Sequence, residues 1–300
     1  MSARRMPLSN KLYMWLGFLF LYAPILSLVI YSFNESRLVT VWGGFSLKWY
    51  EVLLNDDVLL AAAKLSFQIA FLSATLAVVL GTIAGFVLAR FTRFRGHSLF
   101  AGMTTAPMVM PEVIVGLSML LLFVALQTGL ACGDPAQMGL LQRLGCWLFG
   151  ERGMITIWIG HTTLCMAYVA VLVQSRLKEM DQSLEDAAMD LGCHPFKVFF
   201  VITLPVISQA LVAGWLLSFT LSLDDYVLTA FLSGPGSTTM PQWIFSSIRL
   251  GLTPEINALA TIVIVIVTSF VVISNRLMLS AQAKRDRAIQ AAAAGTDKQE

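Results

Sequence analysis

Three carboxylates interrupt stretches of sequence that are otherwise apolar: Glu112, Asp224 and Asp225. Glu112 directly follows Pro111, with Pro107 one turn earlier. Ser218, Ser222, Asp225 and Thr229 recur at i, i+4, i+7 and i+11, which makes one polar stripe on a helix, and Asp224 points about 100° away from it. An ionised side chain at the centre of a membrane helix costs about 2.5–3.5 kcal/mol on insertion scales, so such groups face a bundle interior or an aqueous path. No basic residue lies inside these spans to neutralise them. The expected counter-charge is therefore a cation passing through, and a molecule with several ammonium groups suits several spaced carboxylates. The competing roles are hydrogen bonding at helix ends and pairing with a Lys or Arg of a neighbouring subunit. His161, Cys165 and Tyr168 share a face of another apolar segment, but one His and one Cys fall short of a metal site. Packing is their expected role.

The elements that position these residues follow from composition. Of 300 residues, 57% are hydrophobic and 13% charged, and the mean hydropathy is +0.75. A soluble domain carries about a quarter charged residues, and a bilayer span needs roughly 20 predominantly apolar ones. Candidate spans fall at roughly 12–33, 65–90, 98–126, 154–177, 205–232 and 256–276. The first follows a short basic segment, Met1 to Lys11, with no small-residue cleavage site after it, so it is expected to be retained. The net charge of +2 is too small to argue for nucleic acid.

Orientation follows from Lys and Arg. With the N-terminus inside, fourteen of the twenty fall on inner segments, among them Arg4, Arg5, Arg90, Arg93, Arg95, Arg176, Lys178 and Lys298. Six fall outside: Arg37, Lys48, Lys64, Arg143, Arg152 and Arg249. Both termini are expected in the cytoplasm. The second span repeats small residues every fourth position, at Ser73, Ala77, Gly81, Gly85 and Ala89, which lets another helix approach closely. In the third span Pro107 and Pro111 predict a kink. Trp42, Trp49 and Tyr50 suit a membrane interface. Cys132 and Cys146 sit together in an outer connection, where a disulfide and free thiols are both open. The run Ser233 to Gly236 is a turn. One membrane domain over 1–280 and a polar cytoplasmic tail over 281–300, as frayed helix or disorder, are the simplest organisation.

The connection between spans four and five, about 178–205, has its own design. Leu184, Ala187, Ala188 and Leu191 fall at i, i+3, i+4 and i+7 and form an apolar stripe, with Glu185, Asp186 and Asp190 beside it. Gly192 suits a left-handed helix stop, and Pro195 blocks continuation. A second short helix can begin there with Phe196, Phe199 and Phe200 on its face. The segment is thus expected to be a helix–turn–helix; the competing form is an amphipathic helix lying on the membrane surface.

The spacing Asp186-Ala187-Ala188, Gly192, Ile202, Leu204-Pro205 resembles the "EAA" loop of ABC importer permeases, with Asp186 where that family usually has Glu and Glu185 beside it. The stretches Tyr22 to Pro24, Trp42 to Tyr50, Ala106 to Glu112, Ser222 to Tyr226, Ser233 to Gly236 and Pro254 to Ala260 extend the resemblance over most of the chain. They look like the permease subunits of putrescine and spermidine importers, the putrescine type above all. The resemblance implies an all-α membrane protein of about six transmembrane helices, similar to type I ABC importer permeases. It implies that Glu185, Asp186, Ala187, Ala188, Gly192 and Pro205 belong to a loop that docks into an ATPase subunit. It implies as partners a second permease subunit, two ATPase subunits, a periplasmic polyamine-binding protein and membrane lipid. Glu112, Asp224, Asp225 and Ser222 are expected along the substrate pathway.

The chain is not expected to be an enzyme. It has no His-Glu-x-x-His helix, no Gly-x-Ser-x-Gly elbow and no Gly-x-x-x-x-Gly-Lys phosphate loop, so ATP and Mg are expected in a partner and no cofactor in this chain. A permease for another small solute and a self-sufficient secondary cation transporter are the alternatives. The latter often carries two repeated halves in one chain, and no such repeat stands out here.

Overall fold

The computed structural model of the chain describes residues 8–38, 41–130, 132, 138–251 and 253–296. Arg4, Arg5 and Lys298 lie outside the described residues, as do the side chains of Lys284 and Arg285.

Helices follow one another almost without interruption. They are α1 (Leu8–Tyr31), α2 (Lys48–Leu54), α3 (Asp57–Arg90), α4 (His97–Val109), α5 (Glu112–Leu130), α6 (Leu140–Phe149) and α7 (Met154–Glu179). Then come α8 (Ser183–Asp190), α9 (Pro195–Val198), a π-helical turn (Phe199–Thr203), α10 (Leu204–Asp224), α11 (Val227–Leu232), α12 (Met240–Leu250) and α13 (Pro254–Thr296). Among the described residues, six helical stretches are long and apolar enough to cross a membrane. They match the six expected segments with shifted ends: the second begins at Asp57, the third is Glu112–Leu130, and the fifth runs Pro195–Asp224. The sixth belongs to α13, which stays helical through Thr296 and so includes much of the expected polar tail.

The helices group into two compact units, Met1–Leu60 with Ile244–Phe270, and Ala61–Trp243 with Val271–Glu300. In the first unit the connection after α1 folds around Asn34. Its Oδ1 accepts from the Gly43 amide at 2.8 Å and its Nδ2 donates to the Val41 carbonyl at 2.8 Å. Trp49 was expected at the membrane interface. Instead it is buried, and its Nε1 donates to the Asn34 carbonyl at 2.7 Å. The indole ring fills the core of this loop, while Trp42 remains half exposed.

The second unit is organised around α7, whose face from Ile157 to Leu177 is buried. α4, α10 and α11 all pack on it. The small-residue face of α3 packs there too. A Cβ at Gly81 would come within 2.7 Å of Val169 Cβ, and one at Gly85 within 2.7 Å of the Ala170 carbonyl oxygen. Those two positions need glycine because α7 lies directly against the α3 backbone. In the connection after α5, Cys132 and Cys146 are joined by a disulfide, which resolves the two thiol states left open by the sequence.

Candidate functional site

Two of the expected spans are broken, and the carboxylates sit at the breaks. The third was expected as one kinked helix. Met110 is instead extended (φ −75°, ψ 142°), and Pro111 starts a new helix, its carbonyl accepting from Ile114 at 2.9 Å. Proline drives its predecessor out of the helical region, which is why the break falls at Met110. Pro107, by contrast, is accommodated inside α4. Glu112 is thereby the first residue of α5, exposed in this chain.

The fifth span was expected to be continuous through residue 232. It stops at Asp224; Asp225 is extended (φ −69°, ψ 119°) and α11 begins at Val227. Asp225 caps the new helix. Its Oδ1 accepts from the Leu228 amide at 3.2 Å and its Oδ2 from the Thr229 amide at 3.1 Å. These satisfy orphan donors of the first turn.

Asp225 nonetheless has a partner from another span. His161, from α7, places Nε2 2.8 Å from Asp225 Oδ2, with side-chain exposures of 2% and 6%. His161 Nδ1 lies 2.7 Å from Ser222 Oγ, and Nε2 lies 3.0 Å from Thr229 Oγ1. With Asp225 accepting, Nε2 carries a proton. The Ser222 hydroxyl then either donates to Nδ1 or accepts from it, according to the charge of the ring. Ser222, Asp225 and Thr229 thus converge as their stripe foretold, but on a histidine rather than on an open channel. Asp224 faces away and is exposed in this chain, like Glu112. The carboxylates thus fall at two helix breaks, Glu112 and Asp224 exposed in this chain and Asp225 closed against an imidazole.

α11 is held where it must be for this arrangement. It lies across two glycines: a Cβ at Gly116 would meet Phe231 at 2.7 Å, and one at Gly160 would collide with Leu232. Thr156 Oγ1 donates to the Leu232 carbonyl at 2.8 Å, closing the far end of the helix.

The second feature is the loop between α7 and α10. α8 ends as the sequence predicts. Gly192 has φ +85°, its amide donates to the Met189 carbonyl at 2.8 Å, and the Cys193 amide donates to the Ala188 carbonyl at 3.1 Å. This pair of bonds is the Schellman closure, which needs a left-handed residue at that position. His194 then caps α9, its Nδ1 accepting from the Phe196 amide at 3.4 Å, with Pro195 in the first turn. At the other end Asp181 Oδ1 accepts from the Ser183 amide at 3.0 Å. Hydrogen bonding from Ser183 holds that exposed carboxylate below the usual range.

The apolar stripe of α8 faces outward. Leu184 is 51% and Leu191 87% exposed, and Asp186 and Ala187 are exposed as well. Glu185 is the exception. It is buried, ion-paired with Arg90 Nε at 2.9 Å and accepting from Thr203 Oγ1 at 2.5 Å. Of the expected loop residues, Glu185 therefore supports the helix from behind, while Asp186 and Ala187 lie on its outer face. Pro205 stands in the first turn of α10.

Among the described residues, six helices long and apolar enough to cross a membrane, two of them completed by short broken segments, and one short helical knob define a polytopic membrane protein. The chain belongs to the family of binding-protein-dependent transport system inner membrane components, whose model matches residues 77–285; it is a multi-pass inner membrane permease subunit of the ABC importer type. It is 57% identical over 280 residues, 93% of this chain and 94% of the relative, to the putrescine transport system permease protein PotI of Escherichia coli strain K12. It is 39% identical over 255 residues, 85% of this chain and 88% of the relative, to the spermidine/putrescine transport system permease protein PotC of the same strain. The fold matches a bacterial ABC transporter involved in the import of the acidic polysaccharide alginate, at TM-score 0.63 and 15% identity over 91% of this chain and 99% of the other. It also matches a bacterial alginate ABC transporter in complex with an alginate pentasaccharide-bound periplasmic protein, at TM-score 0.66 and 15% identity over 90% and 92%.

Proposed function

We propose that this chain forms half of the membrane pathway of an ATP-driven importer for polyamines, putrescine or spermidine. The single observation that carries the substrate class is the unequal state of the three acids. Asp225 already has a partner in His161, whereas Glu112 and Asp224 stand open at two helix breaks. Breaks of this kind are tolerated at membrane depth only where protein or water satisfies the freed groups. Two open carboxylates beside them suit a solute with two ammonium groups and repel a polyanion. The kinship with putrescine and spermidine/putrescine permeases supports the same solutes. The fold alone does not choose among solutes, since the matched structures belong to alginate transporters.

The pathway lies between this chain and a second permease subunit, and a periplasmic binding protein delivers the solute. Two ATPase subunits, which bind ATP and Mg, dock on the α8 knobs. Asp186, Ala187 and the apolar side chains Leu184 and Leu191 present the docking face, and Gly192 fixes its end. Both termini face the cytoplasm, in keeping with the distribution of Lys and Arg. The disulfide between Cys132 and Cys146 supports placing that connection on the oxidising side of the membrane.

The experiment is ATP-dependent uptake of radiolabelled putrescine and spermidine into proteoliposomes holding the co-purified complex and its binding protein. Uptake that polyamines compete and sugars or amino acids do not is the expected result. Uptake that requires an ion gradient and ignores ATP would return the chain to the secondary-transporter alternative.

A further inference from the structure

Arg90 ends α3, and its guanidinium reaches two other elements. Nε pairs with Glu185 of α8 at 2.9 Å, and Nη1 donates to the Leu177 carbonyl of α7 at 3.3 Å. The side chains of the pair are only 11% and 10% exposed. Glu185 uses its second oxygen to accept from Thr203 Oγ1, in the π-turn that leads into α10. One ion pair thus joins the knob to the ends of three spans.

That junction is one of several contacts that hold α8. α8 packs on α9 and on the π-turn. Between it and α3 lies a cavity of about 310 Å³, lined by Phe86, Arg90, Glu185, Met189, Phe199 and Thr203 among others. Apolar side chains leave that space partly unfilled, and the ion pair borders it. An ion pair in such a place adds little net stability over an apolar one, but removing one partner leaves the other buried and uncompensated. Direction, rather than strength, is what it supplies: a displacement of α8 is handed to α3 and α7 together.

We propose that Arg90 is a positioning residue for energy coupling, clamping α8 to the ends of α3 and α7 through Glu185 and Leu177. The proposal rests on α8 being the ATPase contact. Without the clamp, α8 still docks, but its movement is dissipated in the loop.

The test uses the co-purified complex with Arg90→Gln, Glu185→Gln and the double variant. The readouts are ATPase co-purification, ATP hydrolysis, and solute molecules imported per ATP. The expected result is intact co-purification and hydrolysis, with import per ATP reduced about tenfold in each single variant, within the usual range of coupling factors. The double variant should match the singles, because one interaction has been removed in all three. An unchanged import-to-hydrolysis ratio, a parallel loss of both activities, or multiplicative losses in the double variant would overturn it. If Arg90→Gln fails to accumulate in the membrane, Glu185→Gln alone carries the ratio measurement. A wild-type complex that binds no ATPase subunit would instead sink the docking assignment itself.

Discussion

His161 Nε2 lies 2.8 Å from Asp225 Oδ2, and both side chains are almost sealed from solvent. The contact divides the acids at the helix breaks into two kinds. Asp225→Asn would leave His161 without its carboxylate and weaken the cap of α11. Losing one partner of a buried pair costs about 3–5 kcal/mol. The expected outcome is a thermally labile protein with reduced membrane yield, followed by size-exclusion profiles after heating. Normal melting of the Asp225→Asn protein would show that the contact bears no weight.

Glu112→Gln and Asp224→Asn should behave otherwise. Both carboxylates are exposed in this chain. Folding and ATPase assembly should be retained, while the KM for polyamine uptake rises about tenfold, a loss of ~1.4 kcal/mol in recognition. Saturation curves in proteoliposomes measure it, and an unaltered KM in both variants would remove these acids from the pathway.

Gly192→Val should uncouple. At φ +85° an L side chain is strained by about 1–2 kcal/mol, more if β-branched, and the Schellman closure of α8 is lost with it. The chain should still insert, because no span is touched. Uptake should fall well below wild type with basal hydrolysis retained; wild-type uptake would count heavily against a rigid knob.

Gly85→Val and Gly102→Ala form a matched pair. The first drives a side chain into the Ala170 carbonyl and Val173, an overpacking cost of about 1–3 kcal/mol or more. The second meets nothing within 4 Å and improves helix propensity by about 0.5–1 kcal/mol. Melting temperatures should move in opposite directions, and a drop of equal size in both would deny the close approach of α3 and α7.

Cysteine chemistry reports the orientation. Cys132 and Cys146 should resist maleimide until reduced, Cys165 is buried, and Cys193 is half-buried next to the knob. In right-side-out vesicles, a permeant maleimide should label Cys193 and an impermeant one should not. Labelling by the impermeant reagent would invert the assigned topology.

Much of this was legible from local pattern. The apolar runs gave six spans, the four-residue spacing of small side chains gave the α3 contact, and the Gly192–Pro195 pair gave the knob. What escaped was long-range. Asp225 and Tyr226 contain no helix breaker, and the span stops there because Asp225 turns to cap α11 and to meet a histidine on another helix. The signal was present as His161 within an apolar run, but its partner lay on a stripe read separately. Glu185 was read only as one of three acids beside the apolar stripe of α8, for the same reason. Nothing within α8 announces that Arg90, at the far end of α3, will draw it inward. Trp49 was misplaced because an indole suits an interface and a hydrogen-bonded core equally well.

α3 contains 34 residues, which at 1.5 Å per residue makes a rod about 50 Å long. The hydrocarbon layer is only about 30 Å thick. At Gly81 and Gly85 the rod's bare backbone lies directly against Val169, Ala170 and Val173 of α7, so it has no side chain of its own there to swivel and absorb a push. Helices meshed this closely behave as a single beam, and a beam longer than the barrier it crosses carries a stroke from one face of the membrane to the other.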